Sequence, residues 1–266
     1  MTKEELRQRL EFYQDLGITT LFRRDPPVDT TGLSDLATAP LLSRLEVDIP
    51  PPAAMKVITE PHALASGTPE ATSVAVSDSL LKVRENIGEC TRCRLHEGRN
   101  RIVFGSGNES AKLVFVGEGP GADEDAQGIP FVGRAGQLLT QMIDGTAKKE
   151  GIPIQRSDVY ICNVVKCRPP ENRTPLPDEM EMCGQFLARQ IEVLQPKAIC
   201  ALGGTAAKAL LGTKDGVTKL RGKWHKWREI PLMVTFHPSY LLRPYSQDAK
   251  RETWKDLKKV LHYVYD

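Results

Sequence analysis

The chain is 266 residues long, 40% hydrophobic and 26% charged, enough for one sizeable core with an appendage, since domains usually span about 100–200 residues. No apolar run reaches about eighteen residues, which argues against a membrane-spanning helix. The opening "MTKEELRQRL" carries charge where a secretory signal needs an apolar stretch, so a cytoplasmic protein without membrane partners is expected. The formal net charge of +2 hides an asymmetry: the first 80 residues hold 7 basic and 12 acidic side chains, the remainder 29 and 22. A basic remainder suits a polyanion such as nucleic acid, although an ordinary solvated surface accounts for the charge equally well.

In chain order, Leu6, Leu10 and Tyr13 or Leu16 fall at helical spacing, which predicts a short amphipathic helix within 1–24. Residues 25–76, with "DPPVDTTG", "DIPPPAAM" and "PHALASGTPEATS", are rich in proline and small polar residues. Proline removes donors and such residues bury little, so a disordered linker is expected. The folded domain is expected over 77–266, opening with a helix in "SDSLLKVRENIGECTRC" capped by Ser77 or Asp78.

Four β-rich runs follow: "KLVFVGEG" from Lys112, "DVYICNVVKC" from Asp158, "KAICALGG" from Lys197 and "LMVTFHPS" from Leu232. Helical patterns separate them: "AGQLLTQMIDGTAKKEG", then "PDEMEMCGQFLARQIEVLQP" with Pro177 in its first turn, then the shorter "TAAKALLG". "DAKRETWKDLKKVLHYVYD" closes the chain. Near-continuous apolar strands alternating with helices predict a parallel sheet covered on both faces, whose ligand site lies at the carboxyl ends of the strands.

Every unusual motif sits at one of those ends. "GEGPGADEDAQGIPFVGRAG", residues 117–136, has six glycines and four carboxylates after the first strand. Glycine loops there usually cradle phosphates, yet carboxylates repel them. Of six cysteines, Cys162 and Cys200 lie inside apolar strands and read as buried packing. Cys90 and Cys93 form a CxxC, Cys167 follows the second strand, and Cys183 lies in the next helix. One close pair plus two singles is compatible with zinc or with a four-thiolate [4Fe-4S] cluster, and spacing leaves both open.

Taken together, "GEGPGADEDAQGIPFVGRAGQLL", "VYICNVVKCRPPENRTPLPDE" with its later cysteine, and "TFHPSYLLR" resemble the family 4 uracil-DNA glycosylases, the iron–sulfur members of that superfamily. The resemblance covers about residues 80–265. It implies a three-layer α/β/α fold with a central four-stranded, mainly parallel sheet. It also implies a [4Fe-4S] cluster on Cys90, Cys93, Cys167 and Cys183. The implied activity is removal of uracil from single- or double-stranded DNA by hydrolysis of its N-glycosidic bond, in base excision repair, by a monomer.

The same resemblance assigns roles. Phe131 stacks on the flipped base, Asn163 reads its edge, and His237 sits beside uracil O2. Glu118 is a pocket carboxylate, and Gly119 beside it lets the backbone approach the base. The better-known relatives carry a water-orienting aspartate near position 119, so Glu118 and Glu124 are the candidates for activating water here. Leu241 matches a wedge that enters the vacated stack, and Arg168, Arg173, Arg243, Lys250 and Arg251 are expected on phosphates. His96, His225 and His262 are read as surface or packing residues. A non-enzymatic DNA-binding or polymerase-accessory protein is the competing reading; it would need basic groups but not the Glu118, Phe131, Asn163 and His237 set.

Overall fold

The computed structural model describes residues 78–266. The expected helix within 1–24 and linker over 25–76 lie outside the described residues. The elements in order are α1 (Leu80–Ile87), β1 (Ser106–Gly107), β2 (Leu113–Gly117), α2 (Ala122–Gln127), α3 (Arg134–Glu150), β3 (Tyr160–Asn163) and α4 (Pro177–Leu194). Then come β4 (Ala198–Leu202), α5 (Gly204–Leu211), α6 (Val217–Leu220), β5 (Trp224–Trp227), β6 (Ile230–Thr235), α7 (Pro238–Leu241) and α8 (Gln247–Tyr265). The cap of α1 is Ser79, whose side chain accepts from the Lys82 N–H at 3.2 Å. Asp78 instead pairs with Arg189 on α4 at 2.8 Å.

The sheet runs β1-β3-β2-β4-β6-β5. Its four inner strands are parallel, and the two edges, β1 on β3 and β5 on β6, are antiparallel. The expected four-stranded parallel centre is present, and the two edge strands widen the sheet to six. Both added strands lack the apolar run that reveals a buried strand. β1 is two residues of "SG", and β5, "WHKW", alternates exposed and half-buried positions as an edge does.

Strand alternation builds the three layers. On β2, Val114 and Val116 pack with Leu80, Val83, Phe186 and Ala206 on one face. Leu113 and Phe115 face the other way, among Leu139, Ile143, Leu257 and Val260. β4 repeats the pattern, with Ile199 and Ala201 on the first face and Ala198, Cys200 and Leu202 on the second. Cys162 and Cys200 are fully buried, as expected of packing residues.

Leu241 departs from its expected role. It is fully buried, in the core layer that holds Met142 and Leu257, so in this structure it cannot project as a wedge. The short α7 rests on α3 and α8, and the helical turn aims Leu241 inward. Leu241→Ala should therefore cost about 2–5 kcal/mol of folding stability, read from the urea midpoint, as a core truncation does.

Candidate active site

A cavity of about 300 Å³ opens where the inner strands end. Its walls are Glu118 to Gly121 after β2, Asn163 and Pro169 after β3, Gly203 and Gly204 after β4, and His237 and Ser239 after β6, with Glu124 and Phe131 closing one side. Glu118, Gly119, Glu124, Phe131, Asn163 and His237 are thus brought together as expected. Their convergence depends on small residues. A Cβ at Gly117 would collide with Asn163 Oδ1 and lie 2.6 Å from the Phe131 ring. At Gly203, with φ +92°, a Cβ would meet the His237 Cβ at 2.9 Å. Gly119 lines the cavity, but the room its side chain would need is taken by Val165, whose methyl would lie 2.8 Å away.

Asn163 ends β3 opposite Gly117 and is 1% exposed. Its amide Oδ1 is buried with no hydrogen-bond partner. A buried polar atom left unpaired costs about 1–3 kcal/mol, a cost that a ligand N–H reaching this oxygen would offset. The main-chain carbonyl of Asn163 accepts from Lys166 Nζ at 2.8 Å. Lys166 is fully buried, also donates to Gln190 Oε1 at 2.6 Å, and is held below its usual ammonium range by desolvation. Gln190 in turn donates to the Phe104 carbonyl and to the Tyr160 hydroxyl. Sequence reasoning passed over this network; its one signal is a lysine inside the apolar "ICNVVKC".

Phe131 sits at φ +55°, a conformation that costs a side-chain-bearing residue about 1–3 kcal/mol. Its neighbours clamp it. Glu124 Oε1 accepts from the Val132 and Gly133 N–H groups at 3.0 and 2.9 Å, and Oε2 from Gly121 N–H at 3.0 Å. Arg156 donates to the Pro130 carbonyl at 2.9 Å and to Gly136 O at 3.3 Å. Gly136 carries no Cβ because one would overlap the Phe131 carbonyl. Both Glu124 oxygens are thus engaged by main chain. Glu124, one of the two candidates for activating water, thus also shapes the loop. Glu118 differs, since one of its oxygens accepts from the Thr205 hydroxyl of α5.

His237 caps α7. The Ser239 N–H donates to His237 Nδ1 at 3.2 Å, and the Ser239 hydroxyl lies 2.8 Å from the same nitrogen. A backbone N–H can only donate, so Nδ1 is the acceptor and the neutral ring carries its proton on Nε2. Burial pulls the imidazole down to about 4. The ring centre lies 5.6 Å from that of Phe131.

Of the expected phosphate contacts, Arg173 forks onto Glu179 at 2.7 and 2.9 Å. Glu179 is fully buried and held below its usual range first by that bond, so Arg173 is engaged by the fold. Arg168 bonds Asn172, and Arg251 pairs with Asp248. The other histidines are occupied, His96 and His225 by main-chain carbonyls and His262 by Glu150 and Asp266.

Cys90, Cys93, Cys167 and Cys183 line one small cavity between α1, the segment after β3 and α4. Three of the sulfurs face N–H donors: Arg92 to Cys90 at 3.4 Å, Arg99 to Cys167 at 3.6 Å and the Lys166 N–H to Cys183 at 3.3 Å. Among the described residues, no three His, Cys, Asp or Glu side chains form a group that could hold a metal ion. Four thiols around one cavity, met by N–H donors, are a donor set that suits a zinc ion or a four-thiolate cluster.

Residues 104–258 match the family model of the Uracil DNA glycosylase superfamily. The chain is 49% identical over 187 residues to the type-4 uracil-DNA glycosylase of Thermotoga maritima, covering 68% of this chain and 93% of that protein. It is 40% identical over 191 residues to the type-4 enzyme of Archaeoglobus fulgidus, covering 69% and 92%. The Sulfurisphaera tokodaii type-4 enzyme is 41% identical, with 69% and 84% covered. The chain belongs to the type-4 uracil-DNA glycosylases.

The environment of His237 generates a prediction. Below pH about 6.5 the unfolded chain takes up a proton that the folded ring refuses until about 4. This residue therefore makes stability fall as pH drops across that window. Nitrogen NMR should place the His237 titration near 4, with the proton on Nε2 at neutral pH; a midpoint near 6.5 would contradict the burial argument.

Proposed function

We propose that the cavity takes uracil flipped from DNA and that its side chains hydrolyse the N-glycosidic bond, leaving an abasic site. The chain is a uracil-DNA glycosylase, a hydrolase of DNA repair. The observation that carries the site assignment is the buried, unpartnered amide oxygen of Asn163, a residue that lines the cavity together with Phe131. An amide can accept from uracil N3–H and donate to O4, whereas cytosine reverses that pattern and leaves buried groups unpaired. Phe131, held in place before any base arrives, supplies a stacking face worth about 1–3 kcal/mol.

Bond cleavage makes the sugar cation-like and the departing base anionic. The Nε2–H of a neutral His237 then donates to uracil O2, where charge develops, and no proton transfer is needed. Preplaced donors of this kind are usually the largest catalytic contribution. We assign the orientation of the attacking water to Glu118, one oxygen of which is fixed by Thr205, and a positioning role to Glu124. We further propose that Cys90, Cys93, Cys167 and Cys183 hold a [4Fe-4S] cluster that ties α1 and α4 to the segment after β3. Arg92, Arg99 and Lys166 offset its charge. Both single- and double-stranded DNA are proposed substrates, and the protein is proposed to act as a monomer.

The assay is a uracil-containing oligonucleotide, incubated with the protein and treated with alkali. Strand scission is expected, with kcat lowered about 10²–10³-fold in His237→Ala and kcat/KM lowered in Asn163→Ala. Undiminished scission by both variants would refute these roles. Anaerobic purification should yield brown protein carrying iron; a colourless, iron-free and fully active preparation would remove the cluster.

A further inference from the structure

We propose that Lys166 is a positioning residue for uracil recognition, which fixes the strand end carrying the Asn163 amide and is itself held by Gln190. The inference rests on the uracil-reading role of Asn163 and names what sets that side chain in place. No protein group bonds the Asn163 amide oxygen. Its position therefore follows from packing and from the backbone that carries it.

That backbone loses its outer neighbour early. β1 pairs with β3 at Tyr160 and Ile161 and stops short of Asn163, the last residue of the strand. The two segments meet again where the Val103 N–H donates to the Lys166 carbonyl at 2.8 Å. Side chains fill the interval. Lys166 Nζ turns back to the Asn163 carbonyl at 2.8 Å and donates to Gln190 Oε1 at 2.6 Å. Gln190 Nε2 donates to the Phe104 carbonyl at 2.9 Å and to the Tyr160 hydroxyl at 3.3 Å. Gly105 leaves room for that hydroxyl, which would lie 2.6 Å from a Cβ added there. Lys166 and Gln190 thus tie the carbonyl of Asn163 to that of Phe104 where β1 and β3 no longer pair.

Stability alone is a weak account of a lysine at this place. Lys166 and Gln190 are both fully buried. Taking an ammonium out of water is costly, and apolar side chains of similar volume often replace buried charges without loss of stability. What an apolar residue cannot do is bond the Asn163 carbonyl. Misplacement of a substrate-positioning group by about 1 Å can cost about a hundredfold in rate, so a hydrogen bond that fixes the strand end keeps the amide in register with the base.

The experiment is a double-mutant cycle in the full chain, read as single-turnover kcat/KM on a uracil-containing oligonucleotide, which keeps slow variants measurable. Iron content and the thermal midpoint are measured for each variant. Lys166→Met keeps the length of the side chain and the main-chain N–H that meets Cys183, and removes the bond to Asn163. It should lower kcat/KM about tenfold or more. In the Asn163→Ala background the same change should have little further effect, because the group it positions is gone. Gln190→Met, which removes an acceptor of Lys166, should act in the same direction and lose its effect in the same background. Lys166→Met decides the matter where it folds with the iron content of wild type; otherwise Gln190→Met decides it by the same comparison. Wild-type kcat/KM in the deciding variant overturns the proposal, as does full additivity with Asn163→Ala, the behaviour of a residue that serves only the fold. Undiminished activity of Asn163→Ala alone is a separate failure, which removes the base-reading role and this inference with it.

Discussion

Parallel pairing places Gly117 opposite Asn163, and at that point β2 has no side chain. One added carbon would strike both the Asn163 amide and the Phe131 ring, the two groups assigned to read and to stack the base. The compactness of the site therefore hangs on a missing atom in the middle of the sheet. Around it the chain accepts local cost. Phe131 takes a left-handed backbone, and the Glu124 carboxylate, the Arg156 guanidinium and the bare Cα of Gly136 hold it there. Such strain persists only where surroundings overdetermine it, and here three separate elements do so.

The electrostatics explain how a glycine loop rich in carboxylates suits a DNA enzyme. The cavity is proposed to take a flat, uncharged base. It offers a neutral histidine, an unpaired amide and one carboxylate held by a hydroxyl. Much of the domain's basic charge is committed internally: Arg173 to Glu179, Arg221 to Asp256 and Glu252, and Arg189 to Asp78. Each of these pairs takes at least one acid with its arginine, so the positive excess is unchanged while these particular arginines are turned away from phosphates.

The cysteine cavity and the base-reading strand end share a support. Lys166 precedes Cys167, gives its main-chain N–H to Cys183, and sends its ammonium to the carbonyl of Asn163. Gln190 accepts a second bond from that nitrogen and in turn donates to the Phe104 carbonyl and the Tyr160 hydroxyl, which anchors the lysine in the core. The proposed cluster and the proposed uracil contact are thus joined through one residue, whose main chain meets the cysteine and whose side chain meets Asn163.

The sequence by itself determined the four parallel strands, the helices between them and the strand-end loops that carry the site. Apolar runs, helical spacing and capping residues are local properties, legible without knowing what lies across the sheet. The edge strands β1 and β5 were not legible, because two residues of "SG" and the half-exposed "WHKW" carry no buried-strand pattern. Nor was the difference between Glu118 and Glu124, two acids of one loop, since only folding shows that main-chain N–H groups claim both oxygens of the second. Leu241 and Leu242 are chemically identical and adjacent. Which one is buried depends on how the short helix after His237 docks on α3 and α8, and that docking is a contact between segments far apart in the chain.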